Sequence, residues 1–413
     1  MVRAMPNKPT TPKPWERPMP ERQFAFMRDI LAAPSPIGLE AAMSYGVLKP
    51  FFEKTGPKSW GIHQFKGNAG IVADTHPGDD DLLTVMIIGH ADKIRMQVRS
   101  IGEDGKIWIN SDSFLPTTLI GHEVHLFSQN PKKPGDYRIV EGGTIEALGA
   151  IHFSTPGMRT GQEGITPEML YLELQMHGEA PLKQVEKLGI RAGDPIILNR
   201  PIRRGFSKDT FYGAYLDNGL GCFVCAEVAR LIAKSPLKNV RVQFAIASHE
   251  EIGRLGSVVM AGELRPDVVI GVDVNHDLQA APGVAAKRFT PISMSKGFTL
   301  TEGSIVSAQL NAIIETAAMS KGIPVQRSAS GRDTGTDAMA AVLAGVDAAA
   351  TSVGFPIRNM HTISETGHTG DVLACIYGLD AALRKMDREK VTPESFRSGH
   401  PRLDAVKPVP QPK

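Results

Sequence analysis

Three stretches of the chain, LLTVMIIGH (82–90), VRVQFAIAS (240–248) and DVVIGVDV (267–274), are dominated by apolar residues and too short for helices. Such runs read as strands buried in a core, not strands with one wet face. Between and after them lie helical patterns: NGLGCFVCAEVARLIAK (218–234), QLNAIIETAAMSK (309–321), TDAMAAVLA (336–344) and GDVLACIYGLDAALRKM (370–386). A further apolar run, AAATSVGF (348–355), reads as another strand. Strands alternating with helices imply an α/β fold whose mixed or parallel sheet is covered on both faces. Two more helices are expected upstream, in RQFAFMRDILAAPS (22–35) and EAAMSYGVLKPFFEKT (40–55).

This alternation is interrupted. From Met96 the texture changes to short β-rich runs, MQVRSI, KIWIN, HEVHLFS, YRIVEGGTIEAL and DPIILN, separated by Gly, Asp, Asn and Pro. That spacing suggests an inserted all-β module of about 100 residues. The expected organisation is a proline-rich tail (1–20), a first segment of the catalytic domain (21–95), the insert (96–204), a second segment of the catalytic domain (205–392) and another proline-rich tail (393–413). The tails lack periodicity and read as disordered or loosely docked.

Composition narrows the function classes. A formal net charge of +2 offers no field for nucleic acid or an anionic membrane. No apolar run approaches transmembrane length, and no signal-peptide core is visible. Three cysteines, Cys222, Cys225 and Cys375, do not make a disulfide framework and suit a reducing cytoplasm. Cys222 and Cys225 form a C-x-x-C on a helical pattern with no second pair, so they read as core filler.

The chemistry collects where the strands end, which is where α/β sheets bind ligands. The run 82–90 leads into His90 and Asp92, and 240–248 leads into Glu250 and Glu251. Asp273 closes 267–274, Asp217 and Asn218 precede a helix, and His361 lies on a loop beyond 348–355. Singly each has an ordinary reading. H-x-D is mostly structural, Asp-Asn before a helix is mostly a cap, and Glu-Glu is mostly solvated surface. Together they form a set of imidazoles and carboxylates suited to divalent zinc, cobalt or manganese. Two imidazoles and three carboxylates hold two ions if one carboxylate bridges. Such a pair activates a water and polarises a carbonyl, while one further carboxylate must stay free to take the water's proton. Adjacent residues after a strand point different ways, so one Glu can ligate while its neighbour faces the water. Asp92 shares a strand face with His90 and can hold its other ring nitrogen.

The segments GHADKI, YLDNGLGC, HEEIGRLGS, PDVVIGVDV, GIPVQ, GTDA and RNMH, in this order across residues 22–386, resemble the M42 family of metallo-aminopeptidases. This is the glutamyl aminopeptidase and tetrahedral aminopeptidase group. The resemblance implies a zinc-peptidase-like α/β/α catalytic domain with the β insert contributing to assembly. It implies that His90 and Asp273 bind one metal, Glu251 and His361 the other, and that Asp217 bridges them. Glu250 would be the general base and Asp92 would orient His90. The implied reaction removes N-terminal residues from short peptides, in a cytoplasmic homo-oligomer that is a hollow dodecamer in many members. An M20-like deacylase or carboxypeptidase shares these ligand types but carries its second domain after the Glu-Glu motif. A non-catalytic paralogue is the third reading.

Four residues depart from the family pattern: Lys93 for an acid, Arg95 for a glycine, Gly219 for an arginine and His249 for a glutamine. Lys93, beside the site, is expected to add positive charge favouring an acidic group in the substrate. In SASGRDTGTDAMA, Thr336 or Asp337 reads as a helix cap, and the loop with Arg332 and Asp333 is a candidate pocket lining. His152, His276 and His368 read as structural or surface residues. His122 and His125, three apart in a β segment, face opposite ways and do not suggest a shared ion.

Overall fold

The computed structural model describes residues 12–111, 113–284, 287 and 289–397. After the helix Glu21–Ala32 and an irregular helix over 41–55, the chain forms β1 (Gly61–Gln64), β2 (Gly70–Asp74) and β3 (Leu83–His90). It then leaves for a closed barrel of β4 (Met96–Ile101), β5 (Ile107–Asn110), β6 (Glu123–Gln129), β7 (Tyr137–Glu146), β8 (Tyr171–Glu173) and β9 (Pro195–Leu198). Two short strands, β10 (Arg203–Arg204) and β11 (Thr210–Gly213), bring it back. The remainder supplies β12 (Val240–Ala247), β13 (Val268–His276), β14 (Phe298–Gly303), β15 (Val325–Ser330) and β16 (Ala349–Ile357). A last strand, β17 (Glu365–His368), pairs antiparallel with β11.

The main sheet has eight strands in the order β1-β2-β12-β3-β13-β16-β14-β15. It is mixed: β12, β3, β13 and β16 run parallel, while β2 and β14 flank them antiparallel. The three apolar runs are thus neighbours at its centre. Their side chains alternate between two cores, with Val85 and Ile87 in one and Met86 and Ile88 in the other. The first core is covered by helices Glu21–Ala32, Leu216–Lys234, Ala308–Lys321 and Thr369–Glu389. The second lies under helix Leu255–Leu264 and the short helix Ala340–Leu343. The α/β sheet covered on both faces and the inserted β unit agree with the sequence reading.

The barrel has its own core, including Met96, Ile107, Leu126, Leu172 and Ile196. Tyr215 belongs to that core, and its hydroxyl accepts the Leu198 amide at 2.8 Å. The barrel and the segment leading to Asp217 therefore share packing.

Several elements escape the sequence patterns. β8 is only three residues long. The helix Leu255–Leu264 carries Gly256 and Gly262, which weaken its local signal. The strand through Asp273 does not stop there but continues to His276. Within the N-terminal proline-rich stretch, Trp15 packs against Tyr377 with tilted rings whose centroids are 5.8 Å apart, and Met19 is buried. Residues 1–11 and 398–413, where the rest of the two tails falls, lie outside the described residues. Among the described residues no helix is long and apolar enough to cross a membrane.

Candidate metal centre

His90 ends β3, and the parallel register pairs it with Ala247 at the end of β12. The turn after Ala247 therefore brings Glu250 and Glu251 beside His90. On the other side of β3, β13 carries Asp273. The helix Leu216–Lys234 packs its first turn directly on β3. A Cβ added at Gly89 would stand 2.5 Å from the Gly221 carbonyl carbon, so glycine is required for this approach. Asn218 performs the capping role expected of the Asp-Asn pair, its Oδ1 accepting the Gly221 amide at 2.8 Å. Its Nδ2 donates to Val272 O at 2.7 Å, which ties the helix start to β13. The Asp217 carboxylate takes no part in this cap and faces His90 and His361 instead.

Two groups of metal-type ligands result: His90, Asp217 and Asp273, and Asp217, Glu251 and His361. In the first, His90 Nε2 lies 3.3 Å from Asp217 Oδ1 and 3.9 Å from Asp273 Oδ2. In the second, His361 Nε2 lies 3.3 Å from Asp217 Oδ2 and 3.8 Å from Glu251 Oε1. Asp217 thus gives one oxygen to each group. Glu250 belongs to neither. Its Oε2 is 3.8 Å from His90 Nε2, and its Oε1 is 3.7 Å from Arg254 Nε.

Carboxyl groups outnumber imidazoles at this site. Burial pushes the Glu250, Glu251 and Asp273 carboxyls above their ordinary range, and neighbouring carboxylates, Asp217 above all for the last two, add to it. Burial also works against Asp217, but the neighbouring imidazoles of His361 and His90 outweigh it and hold its carboxyl low. For His90, burial lowers the pKa, yet Asp92 and Asp217 raise it well above normal. Asp217 Oδ1 and Glu251 Oε1 are buried with no hydrogen-bond partner among the described residues. Buried unpaired carboxylate oxygens are costly, and a divalent ion in each group would satisfy both. The donor set therefore fits two borderline or hard cations.

Around the ligands sits a shell of fixed donors and acceptors. Asp92 approaches His90 Nδ1 at 3.4 Å. It also accepts the Glu250 amide on Oδ1 and the Glu251 amide on Oδ2, each at 3.1 Å. One carboxylate thereby orients the imidazole and the turn that carries both glutamates. Glu365 accepts the Leu216 amide at 2.6 Å and the His361 amide at 2.7 Å. Sequence reading missed Glu365, because an acid in the polar string SETGH looks like solvated surface. Arg254 was missed too; it spans from Glu250 to Asp333, whose Oδ2 lies 3.0 Å from its Nη2. Asp333 thus borders the site, Thr336 caps the following turn through Ala338 N, and Asp337 is buried against Ser257.

The departures from the family pattern have local explanations. Lys93, expected to add positive charge beside the site, is instead turned toward the first helix. It is buried, and its ammonium donates to Leu31 O at 2.7 Å and Ala33 O at 2.6 Å, capping the first helix. A Cβ on Gly219 would stand 2.8 Å from Leu31 Cγ, so this position and Lys93 meet at the same leucine. Arg95 donates to Ile37 O and to Gln97. His249 Nε2 lies 3.5 Å from Oε1 of the buried Glu40, which also accepts from Gly38 N and Asn68 Nδ2. Cys222, Cys225 and Cys375 are free and buried in the sheet's larger core, as the helical setting of the first two suggested. Of the spare histidines, His368 sits between Asp209 and Asp371, while burial lowers the pKa of His276.

Residues 70–377 match the family model described as M42 glutamyl aminopeptidase. The chain is 26% identical over 310 residues to the lysyl aminopeptidase of Pyrococcus furiosus, covering 75% of this chain and 84% of that protein. Its fold is similar to the TET aminopeptidase of a marine-sediment thaumarchaeote, with a TM-score of 0.78, 21% identity, and coverage of 92% of this chain and 100% of that one. It is also similar to the Pyrococcus horikoshii TET1 peptidase, described as able to assemble into a tetrahedron or a large octahedral shell. That match has a TM-score of 0.69 and 16% identity and covers 87% of this chain and 98% of the other.

Proposed function

The chain belongs to the M42 glutamyl aminopeptidase family and is an aminopeptidase, a hydrolase of peptide bonds, and from this premise we propose that it removes N-terminal residues from short peptides at a dinuclear metal centre. The observation that carries the reading is Asp217, with one oxygen toward His90 and the other toward His361. His90 and Asp273 would hold one ion, Glu251 and His361 the second, and Asp217 both. Zinc suits the nitrogen and oxygen donors best, with cobalt or manganese as substitutes. Ions held there would acidify a water and polarise the scissile carbonyl.

The protein's own residues do the rest. Glu250, outside both ligand groups yet beside His90, takes a proton from the water and returns it to the leaving amine. Arg254 keeps that carboxylate from swinging away. Asp92, through the two amides it accepts, fixes Glu250 relative to Glu251 while steadying the His90 ring. The free α-amine of a peptide has carboxylates or a metal to meet here, which gives the preference for an unblocked N-terminus. The insert's place before Asp217 argues against an M20-like deacylase. We read the protein as a cytoplasmic homo-oligomer, of the tetrahedral kind described for the Pyrococcus horikoshii structure.

Metal analysis with assays on free-amine and N-blocked peptides tests the function, and native mass spectrometry tests the assembly. Two ions per chain and cleavage only of the free amine are expected. Protein that holds no metal and stays inactive with added zinc, cobalt or manganese would instead be a non-catalytic paralogue.

A further inference from the structure

We propose that Glu365 is a positioning residue that sets the distance between Asp217 and His361, and so determines the affinity of the second metal site. This rests on reading Asp217, Glu251 and His361 as a metal-binding set. Glu365 is 2% exposed and forms no ion pair among the described residues. Its carboxylate is spent on backbone. Oε2 accepts the Leu216 amide at 2.6 Å and faces the Asp217 amide at 3.4 Å, while Oε1 accepts the His361 amide at 2.7 Å.

The topology explains why one side chain reaches both. β11 leads directly toward Asp217, and the His361 loop leads directly into β17. These strands pair antiparallel, with Gly213 opposite Glu365. The two segments bearing ligands therefore leave adjacent strands at the same end, and Glu365 crosses between them. Neither ligand lies in a regular stretch of strand or helix. His361 lies on a loop with φ of 60°, and Asp217 precedes the regular stretch of its helix. A carboxylate suits the task because both oxygens accept. A glutamine would turn its amide nitrogen toward one of the N–H groups, breaking the link on that side.

The test uses the full chain stripped of metal and titrated with cobalt(II), followed by visible absorption and calorimetry. His361→Ala serves to mark which binding step belongs to the second site. Wild type is expected to bind two ions. In Glu365→Gln the step lost in His361→Ala should weaken by about 10–100-fold, the usual effect of removing a group that orients a ligand. The other step should stay within about threefold, and the cobalt spectrum of the second site should change. Glu365→Asp retains the carboxyl group but shortens the reach, so the same selective loss is expected; it decides the matter if the glutamine variant does not fold. Equal weakening of both steps, or of neither, overturns the proposal. Fewer than two ions on wild type would overturn the metal reading itself, and this proposal with it.

Discussion

His361 Nε2 lies 3.3 Å from Asp217 Oδ2, although 144 positions separate the two residues in the chain. The opposite oxygen of the same carboxylate faces His90. A carboxylate with an imidazole on each side is suited to bridging two ions, and the proposed mechanism leaves Glu250 and Glu251 to divide the remaining work.

That division is testable. Glu250→Gln is expected to retain two metals per chain while kcat falls by about 10²–10⁴, the usual contribution of a general base. Glu251→Gln should instead lower metal content. Elemental analysis alongside steady-state kinetics separates the two, and identical behaviour of the variants would refute the assignment.

Asp92→Asn offers a second check. The asparagine can accept only one of the two amides now bound by Asp92, and its nitrogen would confront the other. Metal affinity is expected to fall about 10–100-fold, read by competition with a chelator. Unchanged affinity together with unchanged kcat would show that the turn is held by other contacts.

Lys93 leads to a prediction about what does not change. Because its ammonium is committed to Leu31 O and Ala33 O, Lys93→Met should leave the relative rates on Glu-, Leu- and Lys-linked chromogenic amides unchanged. Stability should drop by about 1–3 kcal/mol, since two buried carbonyls lose their donor. A clear shift in substrate ranking would return Lys93 to the pocket.

His368 gives a pH dependence away from the metal centre. Burial lowers its pKa, but Asp371 and Asp209 outweigh that and raise it above 6.5. Folded protein then binds this proton more tightly than unfolded protein does. The contribution to stability is complete below the unfolded pKa and is lost as pH rises through the folded one. The melting-temperature gap between wild type and His368→Gln is therefore expected to narrow from pH 5 toward alkaline pH. A gap that widened over this range would reverse the sign of the argument.

Much of the architecture was legible because the signals are local. The runs around Val85, Phe244 and Ile270 are apolar on both faces, and a strand of that kind must be sandwiched. The barrel strands announced themselves through alternation and turn residues, except for β8, too short to carry a pattern. The candidate site residues were visible for the same reason, since His90 ends a strand and Glu250 and Glu251 closely follow one. Glu365 was not, because its partners are backbone amides, which leave no trace in residue identity. Lys93 was misread because sequence position places it near His90 without saying which way a long side chain turns.

Sequence by itself determined the sheet and insert and the kinds of donor available to a metal, because burial periodicity and chemical type reside in the residues. Only the tertiary structure decided which oxygen of Asp217 meets which imidazole, that Asp92 holds both glutamate amides, and that Lys93 faces inward. These relations depend on distances between segments far apart in the chain. Strand order and register set such distances, through the packing of the whole sheet rather than through any one stretch of it.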